Sequence, residues 1–497
     1  MDDTFDELTK NLARSATRRG ARRLATARLI CLALTAQFAL TTRASDFKRG
    51  PVVNLSDSDA FAVCPEWFPG SSRIEQESSV VVNPTNPKNL VVAWIAGAFR
   101  AIGNAVSFDG GKHWERKLIP GLSLCSGGSF VNTADPWLSF GPDGALYLIC
   151  IAGNEGDRKA ILTSKSLDGG SRWSAPLILW DTTDKRYYPD YPRITADPTD
   201  ARLVYAIWNN DANGNRGAGI LARTTDGGQT WESPRVIYDA GTTDGGTLGH
   251  IINVLPDGTL VDTFSEFKYP LGGLKKDALI SVIRSTDKGG TWSSPVRVAA
   301  FPLFQVTDPD TGNPVNNGIS CCPNPAVAMD PNNGTLYLVW EDTRFSNGQN
   351  TSIALSRSAD GGRTWSLPIA VNQTPKNIAS GNRQAFIPAV AVAADSTIGV
   401  TYYDFRFNDA NPGLPTDYWL VHCHPSATRP ATDPANWKSE TRLTDESFNL
   451  ESQPSWWSGY NLGDYEGLAT VGNDFLAPWA QPHGTDLNSI FFRRVGP

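Results

Sequence analysis

The sequence lacks three features that would point to other classes of protein. Beyond residue 45 it has no segment with the 3.6-residue apolar period of an amphipathic helix. The apolar run at residues 29–40 is too short to cross a membrane as a stable helix. The third missing feature is a concentration of charge of one sign, because the net charge of −7 is spread along the chain. We therefore do not expect nucleic acid or an anionic membrane surface as the main partner.

Aromatic residues, glycine and proline are abundant instead. The chain has 16 Trp and 21 Phe, which suit stacked sheets, and 45 Gly and 34 Pro, which suit many tight turns. No stretch has the composition of a linker between domains. The sequence therefore predicts one all-β domain at residues 45–497, a length that repeat folds reach without splitting.

An eight-residue pattern, S/T-x-D-x-G-x-x-W, occurs five times. The copies are SFDGGKHW, SLDGGSRW, TTDGGQTW, STDKGGTW and SADGGRTW, and their aspartates are Asp109, Asp168, Asp226, Asp287 and Asp360. Each copy separates two strand-like runs, which indicates a hairpin turn. The Asp can accept backbone N–H bonds and the Gly can adopt a positive φ. The Trp is then expected to pack between neighbouring sheets.

A second repeat consists of an apolar strand, a tight polar turn and another apolar strand. It occurs seven times, at residues 80–94, 137–150, 193–208, 251–264, 326–340, 389–403 and 467–479. Seven hairpins and five boxes predict seven four-stranded blades, the last two without a box, with Trp437 as a remnant in the sixth. The last blade shows three strands. The segment VVNLS (52–56) is the natural fourth strand, which would close the ring and remove the exposed edges.

These boxes resemble the Asp boxes of the sialidase (neuraminidase) superfamily and of the wider group of Asp-box β-propellers. The resemblance implies an all-β propeller of four-stranded blades. We expect seven blades, with six as the alternative because sialidases have six. In that family the boxes lie on outer turns away from the active site, so they indicate architecture and not activity.

Residues 1–44 are expected to be an export signal. Arginines precede the apolar run 29–40, and small residues around Ala44 follow it, which predicts a secreted or periplasmic protein. Six cysteines remain after the signal: Cys64, Cys125, Cys150, Cys321, Cys322 and Cys423. An even number in an exported chain favours disulfides, although fifteen complete pairings are possible. His422, Cys423 and His424 alternate along one strand, so we interpret them as structural and predict no metal site.

In a propeller, residues just before the inner strands and just after the second strands line one mouth of the central channel. Before the inner strands lie Glu75, Glu77, Asp135, Asp190, Tyr191, Arg193, His250, Cys321, Cys322, Arg383, Gln384, Asp464, Tyr465 and Glu466. After the second strands lie Trp94, Trp208, Asn209, Glu266, Glu341, Asp342, Arg344, Asp404 and Arg406. Arginines, carboxylates and tyrosines are thus expected to face one cavity. They either bind a ligand there or tie neighbouring blades together.

The resemblance to sialidases implies roles for some of these residues. Retaining sialidases use a tyrosine nucleophile, a carboxylate base, an acid/base Asp and an arginine triad that binds the substrate carboxylate. By this resemblance the catalytic residues would be Tyr465, Glu341 and Asp190. The substrate-binding residues would be Arg193, Arg344, Arg383, Arg406 and Trp208. The implied function is hydrolysis of an acidic glycan by a monomer without a cofactor, with exo-α-sialidase chemistry as its specific form.

The sequence also departs from the sialidase pattern. YPRI, which contains Arg193, follows the second box, whereas the corresponding family motif precedes the first box. Two other functions therefore stay open. One is a polysaccharide lyase that uses His250, Tyr191 and Arg193 to remove a proton next to a uronate carboxylate. The other is a non-catalytic glycan- or protein-binding propeller, in which Trp94 and Trp208 would provide stacking surfaces.

Overall fold

The computed structural model describes residues 47–57, 73–154, 158–212, 217–241, 245–268, 277–302, 304–315, 324–453 and 459–497. The predicted export signal and Cys64, Cys321 and Cys322 lie outside these ranges. The described residues form thirty strands and five 3-10 helices. The 3-10 helices are Leu124–Ser126, Arg344–Ser346, Ser380–Arg383, Pro434–Asn436 and Leu450–Ser452. Among the described residues, no helix has the length and apolarity needed to span a membrane.

The strands form seven antiparallel sheets, which are the blades of a propeller. Blade 1 contains β3 (Gln76–Asn83), β4 (Asn86–Ala96), β5 (Ala101–Ser107) and β6 (Glu115–Leu118). Blade 2 contains β7 (Asn132–Phe140), β8 (Leu146–Gly153), β9 (Lys159–Ser166) and β10 (Leu177–Thr182). Blade 3 contains β11 (Tyr187–Ala196), β12 (Val204–Ala212), β13 (Ala218–Thr224) and β14 (Arg235–Tyr238). Blade 4 contains β15 (Gly245–Val254), β16 (Leu260–Lys268), β17 (Asp277–Ser285) and β18 (Val296–Pro302). Blade 5 contains β19 (Ala326–Met329), β20 (Leu336–Asp342), β21 (Ser352–Ser358) and β22 (Ile369–Ala370).

Blade 6 contains β23 (Ala385–Val392), β24 (Ile398–Asp404), β25 (Pro415–Cys423) and β26 (Ser439–Arg442), and β27 (Phe448–Asn449) also pairs with β25. Blade 7 contains β28 (Ala469–Val471), β29 (Asp474–His483) and β30 (Asp486–Gly496), together with β1 (Lys48–Arg49) and β2 (Val53–Asn54). The prediction of an all-β propeller with seven four-stranded blades is confirmed, and the six-bladed alternative is wrong. The architecture implied by the resemblance to Asp-box propellers is confirmed with it.

The ring is closed by the N-terminal segment, as the sequence predicts. Val53 and Asn54 pair with Phe492 and Phe491 of β30, which is the predicted contact of VVNLS. Lys48 and Arg49 pair with the end of the same strand, an addition that the sequence analysis missed. The outer strand of blade 7 is therefore supplied in two pieces by the start of the described chain.

The Asp boxes are the turns between the third and fourth strands of blades 1 to 5. In each turn a carboxylate oxygen of the Asp accepts backbone N–H bonds; Asp226 Oδ1, for example, accepts from Gln229 N and Thr230 N at 2.9 Å each. The box tryptophans pack against the preceding blade; Trp114 meets Phe492 of blade 7 at a ring separation of 5.0 Å. They are half-buried rather than fully buried. In blade 6 the fully buried Trp437 joins the cluster between blades 5 and 6, as its interpretation as a remnant predicts.

Two of the six cysteines are not paired. Cys125 forms a disulfide, and its partner lies outside the described residues, because Cys150 and Cys423 are both buried and free. Cys150 and Cys423 therefore take no part in the disulfides that the even number of cysteines favours. Cys423 belongs to the apolar cluster of Trp437, while the His422 ring stacks on Phe47. The histidines and the thiol thus have separate apolar surroundings, which fits the structural interpretation.

Candidate functional site

Bulges interrupt the inner strands of blades 1, 2, 3, 4 and 6, and those of blades 1 to 3 carry the residues of the site. In β3, β7 and β11 a bulge interrupts the ladder to the second strand. The bulged residues Glu77, Asp135 and Tyr191 have left-handed φ angles of 59°, 53° and 47°. Such angles are unfavourable for residues other than glycine and persist where the surrounding structure fixes them. Each bulge places one acidic or phenolic residue at an equivalent position of its blade.

These residues meet across blades 1, 2, 3 and 7. Tyr191 N donates to Asp135 Oδ2 at 3.2 Å, and Asp464 N donates to Glu77 Oε1 at 3.1 Å. The Tyr191 hydroxyl donates to Asp464 Oδ2 at 2.5 Å. Glu77 Oε2 is buried and has no hydrogen-bond partner among the described residues. With the neighbouring aromatic and cationic side chains these residues form what we call the central cluster: Glu77, Asp135, Trp137, Tyr191, Arg193, Asp464 and Tyr465.

Arg193 is the cation of the central cluster. Its guanidinium carbon lies 4.0 Å from the centre of the Trp137 ring and 4.1 Å from that of Tyr465, so it is held between two aromatic faces. Nη1 donates to Pro192 O at 3.1 Å, whereas the buried Nε has no hydrogen-bond partner among the described residues. No described carboxylate lies within ion-pair distance of this side chain, although its charge lowers the pKa of Asp135 and Asp464. A buried guanidinium with unused donors is suited to binding an anionic or polar ligand group.

Burial sets the protonation of the acidic groups. Loss of hydration is the largest cause that raises the pKa of Glu77 well above its usual value, and the charges of Asp135 and Asp464 raise it further. The pKa of Asp135 is raised to about 6 by burial, partly offset by the charge of Arg193. The pKa values of Glu77 and Asp135 are thus both raised, with burial as the largest cause. Neighbouring carboxyl groups with raised pKa values are suited to acid/base chemistry.

The two tyrosines of the cluster have different partners. The Tyr191 hydroxyl donates to a carboxylate, that of Asp464, whereas the Tyr465 hydroxyl donates to Pro136 O at 3.2 Å. Burial raises the pKa of both phenols well above the usual value. A tyrosine can attack as a nucleophile only if a base removes its proton. Of the two cluster tyrosines, only Tyr191 has its hydroxyl hydrogen-bonded to a carboxylate.

Three further site residues from the sequence analysis, Asp190, Glu341 and Trp208, differ in their burial and in their partners. Asp190 is half-buried, and its Oδ1 accepts from Tyr191 N at 3.1 Å. Glu341 reaches from blade 5 to blade 6, where Oε1 accepts from Ile387 N at 2.8 Å, and burial raises its pKa to about 7. Trp208 is fully buried in the core of blades 2 and 3. Its predicted role as a substrate-binding surface is therefore wrong, because no ligand can reach the ring.

The other three arginines that were predicted to bind substrate, Arg344, Arg383 and Arg406, contact residues outside the central cluster. Arg344 pairs with Asp342 at 2.7 Å and donates to Ala300 O. Arg383 donates to Ile378 O at 2.9 and 2.6 Å. Arg406 pairs with Asp404 and Glu440, and its guanidinium lies 3.6 Å from the centre of the Trp419 ring. These contacts tie segments of the blades together, so a triad of Arg193 with these side chains is not assembled.

The groups that the two alternative functions require are also buried. Nδ1 of His250 contacts Asp262 Oδ2 at 2.7 Å, and Nε2 contacts Thr247 Oγ1 at 2.8 Å, all fully buried. A base held in this way cannot reach a sugar, so His250 is excluded from the lyase role. Trp94 is fully buried as well and donates to Glu75, which excludes it as a stacking surface. Within the described ranges, no group of three or more His, Cys, Asp or Glu residues could hold a metal ion.

The sequence analysis placed Glu77, Asp135, Tyr191 and Asp464 at the channel mouth but did not assign them to hydrolysis. A signal was present, since Glu77 and Asp135 are 58 residues apart (135 − 77) and Asp135 and Tyr191 are 56 apart (191 − 135), close to the blade repeat. Trp137 was missed altogether. The position of Trp137 in the cluster depends on the bulge at Asp135, which the sequence analysis did not predict.

No protein-family model matches the chain. Among curated proteins it is similar to a xyloglucanase of Paenibacillus sp, with 24% identity over 346 residues that cover 67% of this chain and 29% of that protein. It is also similar to xyloglucanase Xgh74A of Acetivibrio thermocellus, with 26% identity over 263 residues that cover 47% of this chain and 27% of that protein. The chain therefore spans less than a third of the length of the curated relatives that it matches.

Solved structures with a similar fold include a protein of unknown function from Dyadobacter fermentans, with 16% identity, coverage of 91% of this chain and 99% of that chain, and a TM-score of 0.47. An α-L-arabinanase of Penicillium chrysogenum gives 14% identity, coverage of 71% and 94%, and a TM-score of 0.48. The Hadza microbial sialidase Hz136 gives 15% identity, coverage of 83% and 75%, and a TM-score of 0.45. Identities and scores this low carry no argument about function.

Proposed function

We propose that this chain is a glycoside hydrolase whose acid/base groups are the carboxyl groups of the central cluster. The observation that carries the proposal is the buried Glu77–Asp135 carboxyl pair beside the hydrogen-bonded Tyr191 and Asp464. Glycosidases pair a carboxyl group that stays protonated with a second group that attacks or activates water. The similarity to two xyloglucanases supports a glycan as the substrate, although it covers less than a third of their length.

We further propose that the glycan is acidic. The supporting observation is Arg193, a buried guanidinium that no described carboxylate pairs with and whose Nε has no partner. A substrate carboxylate would give Nε a hydrogen-bond partner. The specific form of this proposal is exo-α-sialidase chemistry. In that form the nucleophile is Tyr191 and not Tyr465, with Asp464 as the base that takes the phenolic proton.

A second candidate is hydrolysis of a neutral β-glucan of the xyloglucan type. The names of the two curated relatives favour it, and the same carboxyl pair would serve as acid and base. In this case Arg193 would hold the cluster together and would not bind a substrate charge. The two candidates predict opposite substrate preferences.

A substrate panel distinguishes the candidates. Release of sugar is measured from an aryl α-sialoside, from oligogalacturonates and from xyloglucan, with wild type, Tyr191→Phe and Tyr465→Phe. The acidic-glycan proposal expects turnover of an acidic substrate, and its sialidase form expects Tyr191→Phe to abolish hydrolysis of the sialoside while Tyr465→Phe retains most of it. Turnover of xyloglucan alone would establish the second candidate. Absence of turnover on all three substrates would refute the hydrolase proposal.

Export is a separate proposal. The order of arginines, apolar run and small residues in 1–44 supports cleavage near Ala44 and a secreted or periplasmic location. Sequencing the N-terminus of protein recovered from the culture medium or periplasm tests it. A mature protein that still begins at Met1 would contradict it.

A further inference from the structure

Blade 3 extends beyond the bulge that forms the central cluster. In β11 the ladder to β12 continues ahead of the bulge through Asp190, Pro189, Tyr188 and Tyr187. In β3 of blade 1 only Gln76 pairs ahead of the corresponding bulge. The inner strand of blade 3 thus continues further past its bulge than that of blade 1, as β15 of blade 4 also does. The outer end of this part of β11 consists of the two tyrosines.

Both tyrosines are exposed, although aromatic rings are usually buried in this fold. Tyr187 is 37% exposed and Tyr188 is 49% exposed. Lys159 of the neighbouring blade lies beside them: its Nζ is 4.5 Å from the centre of the Tyr188 ring and 3.5 Å from Tyr187 O. No described carboxylate forms an ion pair with Lys159. We call Lys159, Tyr187 and Tyr188 the blade-3 rim.

We propose that the blade-3 rim is a binding subsite for further units of an acidic glycan chain whose reacting unit lies at the central cluster. This inference rests on the proposed function, because it places one end of the ligand at Arg193. The rim offers two rings against which the apolar faces of sugars can pack, together with a cation for a carboxylate. An acidic sugar is the occupant that matches both features.

The spacing along β11 supports one continuous ligand. Tyr188 precedes the bulge at Tyr191 by three residues on β11, which corresponds to about 10 Å along an extended backbone. Arg193 and the two rim tyrosines thus lie on β11, on opposite sides of the bulge at Tyr191. The protein would accordingly prefer an acidic oligosaccharide to a single acidic sugar.

Calorimetric titration tests the inference in the Asp464→Asn background, where slow turnover does not consume the ligand. The probes are galacturonic acid, oligogalacturonates of three and six units, α2,8-linked sialic acid oligomers of the same lengths, and neutral xyloglucan oligosaccharides. We expect affinity for one acidic series to rise with length. Lys159→Gln and Tyr188→Ala should each weaken binding of the hexamer about tenfold and leave the monomer unchanged. Phe108→Ala, which removes an aromatic side chain that is 45% exposed in the first Asp box, serves as the matched control.

Each outcome decides the inference. Equal affinity for all lengths, or the same loss for monomer and hexamer, would overturn it, and so would binding of neutral and acidic oligomers with equal dependence on Lys159. Length-dependent, rim-dependent binding by a wild-type protein without turnover would retain the subsite while the hydrolase proposal fails. Turnover of a monomeric acidic glycoside without any length dependence would retain the hydrolase and remove the subsite.

Discussion

At the scale of single residues, Arg193 makes the sharpest prediction. Its planar guanidinium fits between the Trp137 and Tyr465 rings and leaves Nε without a described partner. Arg193→Lys keeps the charge but loses both the stacking and the Nε donor. We expect it to lower kcat/KM on an acidic glycan about as much as Arg193→Ala, by roughly tenfold to a hundredfold, as for a lost hydrogen bond to a charged group. Steady-state kinetics measure this. A lysine variant with wild-type activity would show that charge alone suffices.

The Asp135 carboxyl group makes a prediction about pH. Its folded pKa of about 6 lies above its usual value of about 4. Between these pH values the native state therefore binds more protons than the unfolded chain, so the free energy of unfolding decreases as pH rises from about 4 to about 6. Asp135→Asn cannot ionise and should flatten this decrease in thermal or urea unfolding. Glu446→Gln, on an exposed site without described bonds, should leave it unchanged. An equal slope in wild type and Asp135→Asn would contradict the pKa direction.

Some of these residue roles were predictable and others were not. The sequence analysis placed Arg193 and Tyr465 at the channel mouth, and the structure brings them together. It also placed Arg344, Arg383 and Arg406 there, but the carbonyl and carboxylate partners of these arginines come from their own neighbourhoods. Sequence position indicates which end of a strand a residue occupies. It does not indicate whether a carbonyl or carboxylate close by forms a hydrogen bond or ion pair with that side chain.

At the scale of elements, the fourth Asp box carries its own test. Four boxes have glycine directly after the Asp, with φ of 70° to 80°, whereas the fourth has Lys288 at φ 59°. The lysine is held by an ion pair with the buried Asp197 at 3.1 Å. Both Lys288→Gly and Lys288→Ala remove this pair, but only glycine relieves the left-handed backbone. Lys288→Gly should therefore be more stable than Lys288→Ala by about 1 kcal/mol.

Urea unfolding of the two Lys288 variants measures this difference. The same pair of substitutions at Lys112 of the first box is the control, because Lys112 does not have a positive φ. There the alanine variant should be at least as stable as the glycine variant. If alanine were also the more stable at Lys288, the turn would not be strained.

The elements themselves were the most predictable level of this structure. The five boxes and seven hairpins carry turn residues and strand residues at a fixed period, so the sequence specified each blade. The bulges at Glu77, Asp135 and Tyr191 were not predictable, since two of these positions precede proline and none is glycine. Their left-handed backbone is imposed by packing across blades, which a local pattern does not record.

At the scale of the whole molecule, the first described residues hold the ring closed. Leu55 is fully buried, and its N donates to Ile490 O at 2.7 Å. A chain that begins at residue 45 should melt at the same temperature as the full chain. A chain that begins at residue 58 loses both β1 and β2 and exposes β30, so it should melt at a lower temperature and associate through the open edge.

Differential scanning calorimetry and size-exclusion chromatography of the two truncated chains test the closure. Val236→Ala, which shortens an exposed side chain on the outer strand of blade 3, controls for loss of apolar surface alone. Equal melting temperatures and a monomeric state for both truncations would show that closure of blade 7 contributes little.

The central claim is that the carboxyl groups of the central cluster perform acid/base chemistry on a glycan. The most direct measurement is kcat/KM for the best substrate of the panel, with wild type, Asp464→Asn, Asp135→Asn and the control Glu446→Gln, each verified as folded by its melting curve. The account predicts that both cluster variants lose activity by at least about a hundredfold, as general acid–base groups do, while the control retains it. Wild-type activity in Asp464→Asn and Asp135→Asn would place the chemistry elsewhere and contradict the account.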